Sequence, residues 1–271
     1  MKELLLIDFK SVFKNNKFKL ITLIIILVPS IAFLMACKFY YGLPPNFIRS
    51  ATDENFLNGT VSRHIKLWFI LILPLLSVMI CSDIYSFNYN SGIFKNILTR
   101  TSKKNYVFSK IIVVFTVTFF IIFVSLLLNE LLSILTFPAK GLDNPRKLPS
   151  FDIGYFNYDP KRFLDIIRIK NIYIYDLIYI IIFSFVGSLY ALLSITISFF
   201  IKNSKIFILG SFIVYFCIYQ IFLNFRLEKY HLNAYLDGDS VGNYVFILWI
   251  IALLLPSIAL TIIHLKVNDE I

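Results

Sequence analysis

The sequence predicts an all-α fold: a polytopic membrane helix bundle with six transmembrane helices, forming one transmembrane domain over residues 1–271. Three observations predict it. Six apolar runs, Leu20–Cys37, Leu67–Ser82, Ile111–Leu128, Leu177–Ile201, Ile206–Leu223 and Tyr244–Ile263, fill most of the chain. A spanning helix needs about 20 mostly apolar residues, and lipid leaves no partner for a bare backbone, so runs of this length must be helical. The mean hydropathy of +0.78, with 58% hydrophobic and 15% charged residues, lies outside the range of a soluble domain. The segments between the runs are short, which excludes a separate soluble catalytic domain.

Each element follows from its pattern. Residues 2–16 form an amphipathic helix: Leu5, Phe9, Val12 and Phe13 share one face, while Glu3, Lys10, Lys14 and Lys17 line another. Such a helix lies at the headgroup level, as an anchor, as a surface for a cytosolic partner, or as both. The first run starts only at Leu20 and lacks a small-residue cleavage site, so it reads as a retained first span. Pro29, Pro74 and Pro256 fall inside the first, second and sixth spans, where each removes a backbone hydrogen bond and kinks the helix. The fourth span carries Ser184, Gly187, Ser188, Ala191, Ser194, Thr196 and Ser198, a small-residue stripe that lets another helix approach, within this chain or in a second copy. Between the third and fourth spans, over residues 137–176, Asp159-Pro160 is a helix start for a short amphipathic stretch containing Phe163, Leu164, Ile166, Ile167 and Ile169.

An even number of spans puts both termini on one side. Placing them in the cytosol gives inner segments 1–19, 83–110, 202–205 and 264–271, which carry 13 of the 26 Lys and Arg residues at higher density than the outer loops. The positive-inside rule then favours cytosolic termini in a multi-pass protein of the cell membrane. The net charge of +10 comes from basic residues flanking apolar runs and forms no clustered patch, which points to a membrane surface and not to nucleic acid. The three cysteines, Cys37, Cys81 and Cys217, lie in or at the ends of spans without CxxC spacing and read as small apolar packers. His64, His231 and His264 are far apart and offer no ligand spacing. Two polar residues at membrane depth stand out, Glu130 beside Asn129 and Gln220; each is a functional suspect inside the bundle or an interfacial residue at a span end.

The most distinctive polar stretch is 83–110, after the second span. Ile93, Phe94, Ile97 and Leu98 form an apolar edge at helical spacing, too short and polar to span, followed by basic residues that return the chain to the membrane. Here the chain resembles the permease subunits of ABC-2 type transporters. Their first cytosolic loop carries an acidic residue, a Gly, an apolar pair, a Ser/Arg-rich turn and a Lys at the next span. Asp83, Gly92, Ile97, Leu98, Arg100, Ser102, Lys103 and Lys110 match that pattern. Ile93 stands where Thr is common, and the turn has Thr101 near the place of a common Pro. The resemblance covers the whole plan: N-terminal amphipathic helix, six spans and a short second cytosolic loop at Lys202–Lys205.

In that family the loop is the coupling helix that inserts into the ATPase subunit, and the resemblance assigns ATPase coupling to Gly92, Phe94, Leu98, Arg100 and Lys103. The chain has no GxxxxGK[ST], so ATP and Mg are expected on a separate ABC ATPase subunit, and the chain itself needs no cofactor and is not an enzyme. The resemblance further implies pairing with a second permease copy or a paralogue. The expected function is the permease subunit of an ATP-driven exporter of a hydrophobic or amphipathic substrate, such as a drug or an antimicrobial or membrane-active peptide. An intramembrane enzyme would need acid, base and ligands that Glu130 alone does not supply. A secondary transporter would show repeats and charged midplane residues, neither of which is evident. A non-transporting sensor or immunity protein stays open as the alternative, since it would use the same bundle.

Overall fold

The computed structural model describes residues 1–44, 47–81, 97, 99–139, 163–201, 203–238, 240 and 242–266. Its helices are α1 (Lys2–Lys14), α2 (Asn16–Tyr40), α3 (Arg63–Cys81), α4 (Lys103–Thr136), α5 (Asp165–Lys170), α6 (Ile172–Ser198), α7 (Ser204–Asn224), α8 (Leu232–Asp237) and α9 (Asn243–Lys266). No strand occurs among the described residues. Among the described residues five helices, α2, α3, α4, α6 and α9, are long and apolar enough to cross a membrane. The fifth apolar run forms α7, whose apolar part over Ile208–Asn224 is shorter than the other five.

Several helices start earlier than hydropathy places them, because a polar cap sets the start and the apolar middle comes later. Asn15 accepts from the Lys17 N–H, Ser102 from Asn105, and Asn171 from both Tyr173 and Ile174. Each side chain satisfies donors that the first turn leaves without a partner. α4 consequently runs for 34 residues, longer than the apolar stretch Ile111–Leu128 it contains. Of the stretch after Asp159-Pro160, only α5 and the residues from Phe163 on are described, and α5 begins at Asp165.

α4 and α6 form the centre, with α2 against α4, α3 against both α2 and α6, and α9 against α6. The small-residue stripe of α6 is spent inside this chain: Ser184, Ser188, Ala191, Ser194, Thr196 and Ser198 are all buried. Gly187 marks the tightest crossing. A Cβ there would collide with the Ile122 side chain of α4 and lie 3.0 Å from Ser77 Oγ of α3. The bend of α2 is also met by α4. Pro29 has no N–H to offer the Ile25 carbonyl one turn back, and Ser125 Oγ donates to that carbonyl at 2.7 Å instead. One turn on, Asn129 Nδ2 donates to the Pro29 carbonyl at 2.7 Å.

Candidate functional site: the two ends of the bundle

At the end carrying the N-terminus, α1 docks on α4 through Leu4, Asp8 and Val12, which are buried at i, i+4, i+8 spacing. This face is one step round from the Leu5, Phe9, Val12 and Phe13 face expected from periodicity; Leu5 and Phe9 are half-buried and Phe13 is exposed. Asp8 causes the rotation. Its carboxylate forms an ion pair with Lys110 Nζ and accepts from Ser109 Oγ at 2.7 Å, while Lys110 is fully buried over the Tyr106 ring. A buried charge is tolerated when it is paired and hydrogen-bonded, so the pair fixes α1 to one register on α4.

Beside it the chain enters α4 through a tight turn. The Ile97 carbonyl accepts from the N–H groups of Arg100 and Thr101 and from Thr101 Oγ1, and Ser102 then caps the helix. Arg100 is exposed and Lys103 is half-buried in the first turn of α4. Gly92, Phe94 and Leu98 lie outside the described residues.

At the opposite end the loop between α2 and α3 folds into the bundle. Residues 51–57 are all buried, and Asn55 is fully so. Asn55 Nδ2 donates to Glu130 of α4 and to Asp176 of α6, each at 2.8 Å, and its Oδ1 accepts from the Asn58 N–H at 2.8 Å. One amide thus uses both donors and an acceptor. Asn58 Nδ2 adds a 2.8 Å bond to the other Asp176 oxygen, and Asn129 Oδ1 accepts from the Phe56 N–H at 2.8 Å. Neither Glu130 nor Asp176 has a cationic partner among the described residues, so amide groups carry the fastening. Lys66 of α3 completes the closure, donating to the Leu57 carbonyl at 2.8 Å and pairing with Asp237 of α8. Chemically the arrangement grips a loop: donors and acceptors converge from α3, α4 and α6 on residues 55–58, and α8 holds Lys66 from behind.

The same loop holds two further acids. Ser50 Oγ donates to Asp53 at 2.6 Å, and Tyr40 OH donates to Glu54 at 2.7 Å. Burial pushes the Asp53 carboxyl up to about 6 and raises Glu54 as well. Between the ordinary value of 3.8 and about 6, the seated loop holds a proton that the released loop gives up. Asp53 therefore strengthens the seating as pH falls through 6 towards 4. Amide exchange over residues 50–59, corrected for intrinsic rates, should be slower at pH 5 than at pH 7, and Asp53→Asn should weaken that dependence, leaving the part due to Glu54. Equal protection at both pH values in the unmodified protein would contradict it.

Glu130 lies beneath this loop, and Gln220 is half-buried on α7, away from these contacts. The residues that sequence reading missed are Asp8, Asn55 and Asp176. Asp8 had a signal, since it sits at i+4 between Leu4 and Val12. Asp176 follows four residues of α6 that hydropathy assigned to the preceding loop.

A family model described as an ABC-2 family transporter protein matches residues 11–149, about half of the chain, from the end of α1 through α4. The chain belongs to the ABC-2 transporter family. It is a multi-pass membrane protein and the permease component of an ABC transporter, a type of subunit that is typically not catalytic. No curated protein and no solved structure matches this permease. The matched residues include the whole segment between α3 and α4 and the Asn129–Glu130 pair.

Proposed function

We propose that this permease is half of an ATP-driven exporter, seated in the cell membrane with both termini cytosolic and α7 as its sixth span. Its energy comes from a separate ABC ATPase subunit that binds ATP and Mg. The ATPase docks on the segment between α3 and α4, with Gly92, Phe94, Leu98, Arg100 and Lys103 as the contacts. The observation that carries this reading is the family match, which spans that segment. The exposed Arg100, in a turn pinned to Ile97 and leading straight into α4, supports it: a push on the turn reaches the central helix without a flexible joint. A second copy or a paralogue completes the path. The substrate is hydrophobic or amphipathic, such as a drug or a membrane-active peptide, in keeping with the apolar helix faces.

Affinity purification of the tagged permease in mild detergent, from cells expressing its neighbouring genes, tests this. A nucleotide-binding protein with ATPase activity should co-purify, and Phe94→Ala with Leu98→Ala should lose it while the permease stays folded. A well-folded chain that brings down no ATPase would overturn the exporter reading and favour a sensor or immunity protein.

A further inference from the structure

α7 is the least embedded of the long apolar helices. Leu209, Ile213 and Val214 are exposed, and Tyr215 is the one buried side chain among those described on it. Between α7 and the helices α3, α6 and α9 lies a cavity of about 370 Å³, within the range of about 300–1,000 Å³ typical of ligand sites. α7 lines it with Ile206, Gly210, Ser211, Val214, Tyr215 and Ile218, a stripe that recurs at each turn. From Ile206 to Ile218, twelve steps of about 1.5 Å make it about 18 Å long, close to the depth of about 15 Å of one bilayer leaflet. No Lys, Arg, Asp or Glu lines it among the described residues.

One end of the cavity is polar. His231 is 1% exposed, and its Nδ1 accepts from the Asn233 N–H at 3.2 Å. A ring nitrogen that accepts carries no proton, so in the neutral imidazole the proton sits on Nε2. Burial pushes the His231 pKa down to about 4, which keeps the ring neutral at physiological pH. Nε2–H is then a buried donor with no acceptor among the described residues, and Ser194 Oγ on the same cavity wall also has no hydrogen-bond partner. Native interiors rarely leave such groups unpaired. Tyr219, Phe222 and Trp249 stand edge-on around the imidazole, with ring centroids 5.2, 5.3 and 5.1 Å away, and hold it in place.

We propose that this cavity binds the alkyl chain of an amphiphile whose uncharged acceptor oxygen, an ester carbonyl or a hydroxyl, takes the hydrogen bond from His231 Nε2. The aliphatic walls take the chain by the hydrophobic effect, and the His231 donor meets its acceptor oxygen at the polar end. Gly210 supports the site as an empty volume: a Cβ there meets nothing within 4 Å. Taken as a cargo site, the cavity rests on the exporter reading. Its test measures binding without an ATPase, so a negative result removes the site and leaves that reading to its own experiment.

The chain has two tryptophans, Trp68 and Trp249; Trp249 lines the cavity, and Trp68 is 64% exposed. In full-length Trp68→Phe protein in nanodiscs, quenching by brominated chains therefore reports on Trp249 alone. Two probes are used: a dibrominated phospholipid at increasing mole fraction, and a dibrominated fatty-acid methyl ester titrated into unbrominated discs. Quenching should saturate at low mole fraction. His231→Phe, which keeps a ring and removes the donor, should weaken the apparent affinity about fivefold, the worth of one neutral hydrogen bond. His231→Gln, which restores a donor, should recover part of it, and Gly210→Leu should abolish the saturable component. Saturation by the phospholipid identifies a resident bilayer lipid, and saturation by the ester alone identifies a mobile single-chain ligand; both uphold the site. Quenching linear in mole fraction for both probes, or saturable quenching unchanged in both His231→Phe and Gly210→Leu, would overturn it.

Discussion

Asn55→Leu is expected to unseat the loop between α2 and α3. Leucine has a similar volume but can replace none of the three hydrogen bonds that the Asn55 amide makes to Glu130, Asp176 and the Asn58 N–H. Each buried polar group left without its partner costs about 1–3 kcal/mol, so the loss of three partners should cost about 3–9 kcal/mol. That is a large share of the about 5–15 kcal/mol that holds a typical domain folded. The loss should be local first, because α4 and α6 also pack directly on each other and on α2, α3 and α9. Proteolysis and amide exchange over residues 50–60 should accelerate strongly, with a smaller fall in the detergent melting temperature. Asn58→Ala removes bonds to Asp176 and to the Thr52 carbonyl at a half-buried site and should do less. Loop exchange unchanged by Asn55→Leu would show that Glu130 and Asp176 do not hold it.

The second large effect is expected at Gly187, where α3, α4 and α6 meet. Overpacking a close-packed interior by even a few methylenes costs about 1–3 kcal/mol. Here both sides are closed: Ile122 is fully buried on one, and Ser77 Oγ lies 3.0 Å from an added Cβ on the other. Gly187→Leu should therefore prevent assembly of the central helices and give aggregated or degraded protein. Gly187→Ala should fold with a lowered melting temperature, and pairing it with Ile122→Ala, which vacates the colliding side chain, should recover part of the loss. If Gly187→Leu purified as a monodisperse protein with an unchanged melting temperature, the crossing would be looser than the geometry requires.

Much of the architecture was legible because it rests on hydropathy alone. The apolar runs locate the helices, and the small residues of α6 mark a close approach. Helix ends were less legible, since they are set by single polar side chains such as Asn15, Ser102 and Asn171, whose capping role does not register in a hydropathy window. The contacts at the two ends of the bundle were the least legible. Asn55 looks like any polar loop residue until Glu130 and Asp176, 75 and 121 positions away, are brought to one amide. Asp8 stands out between Leu4 and Val12, but its partner Lys110 arrives from another helix and cannot be read from α1 alone. Glu130 could be flagged because an acid at membrane depth needs a reason; its partner could not, because amide partners leave no charge pattern in the sequence.

Asn129 ties two events into one. Its amide nitrogen is committed to the carbonyl at the bend of α2, and its oxygen to the backbone of the loop that closes the opposite end. Drawing α2 away from α4 at Pro29 strips the first bond and turns the side chain out of line for the second. Lifting the loop releases the oxygen and loosens the hold on the bend. The two displacements share a single coupling free energy, and coupling of that kind is reciprocal. A bound molecule that favours a straighter α2 thereby also favours an open loop, through Asn129 in the middle of the helix as well as through the Tyr40–Glu54 bond at its end.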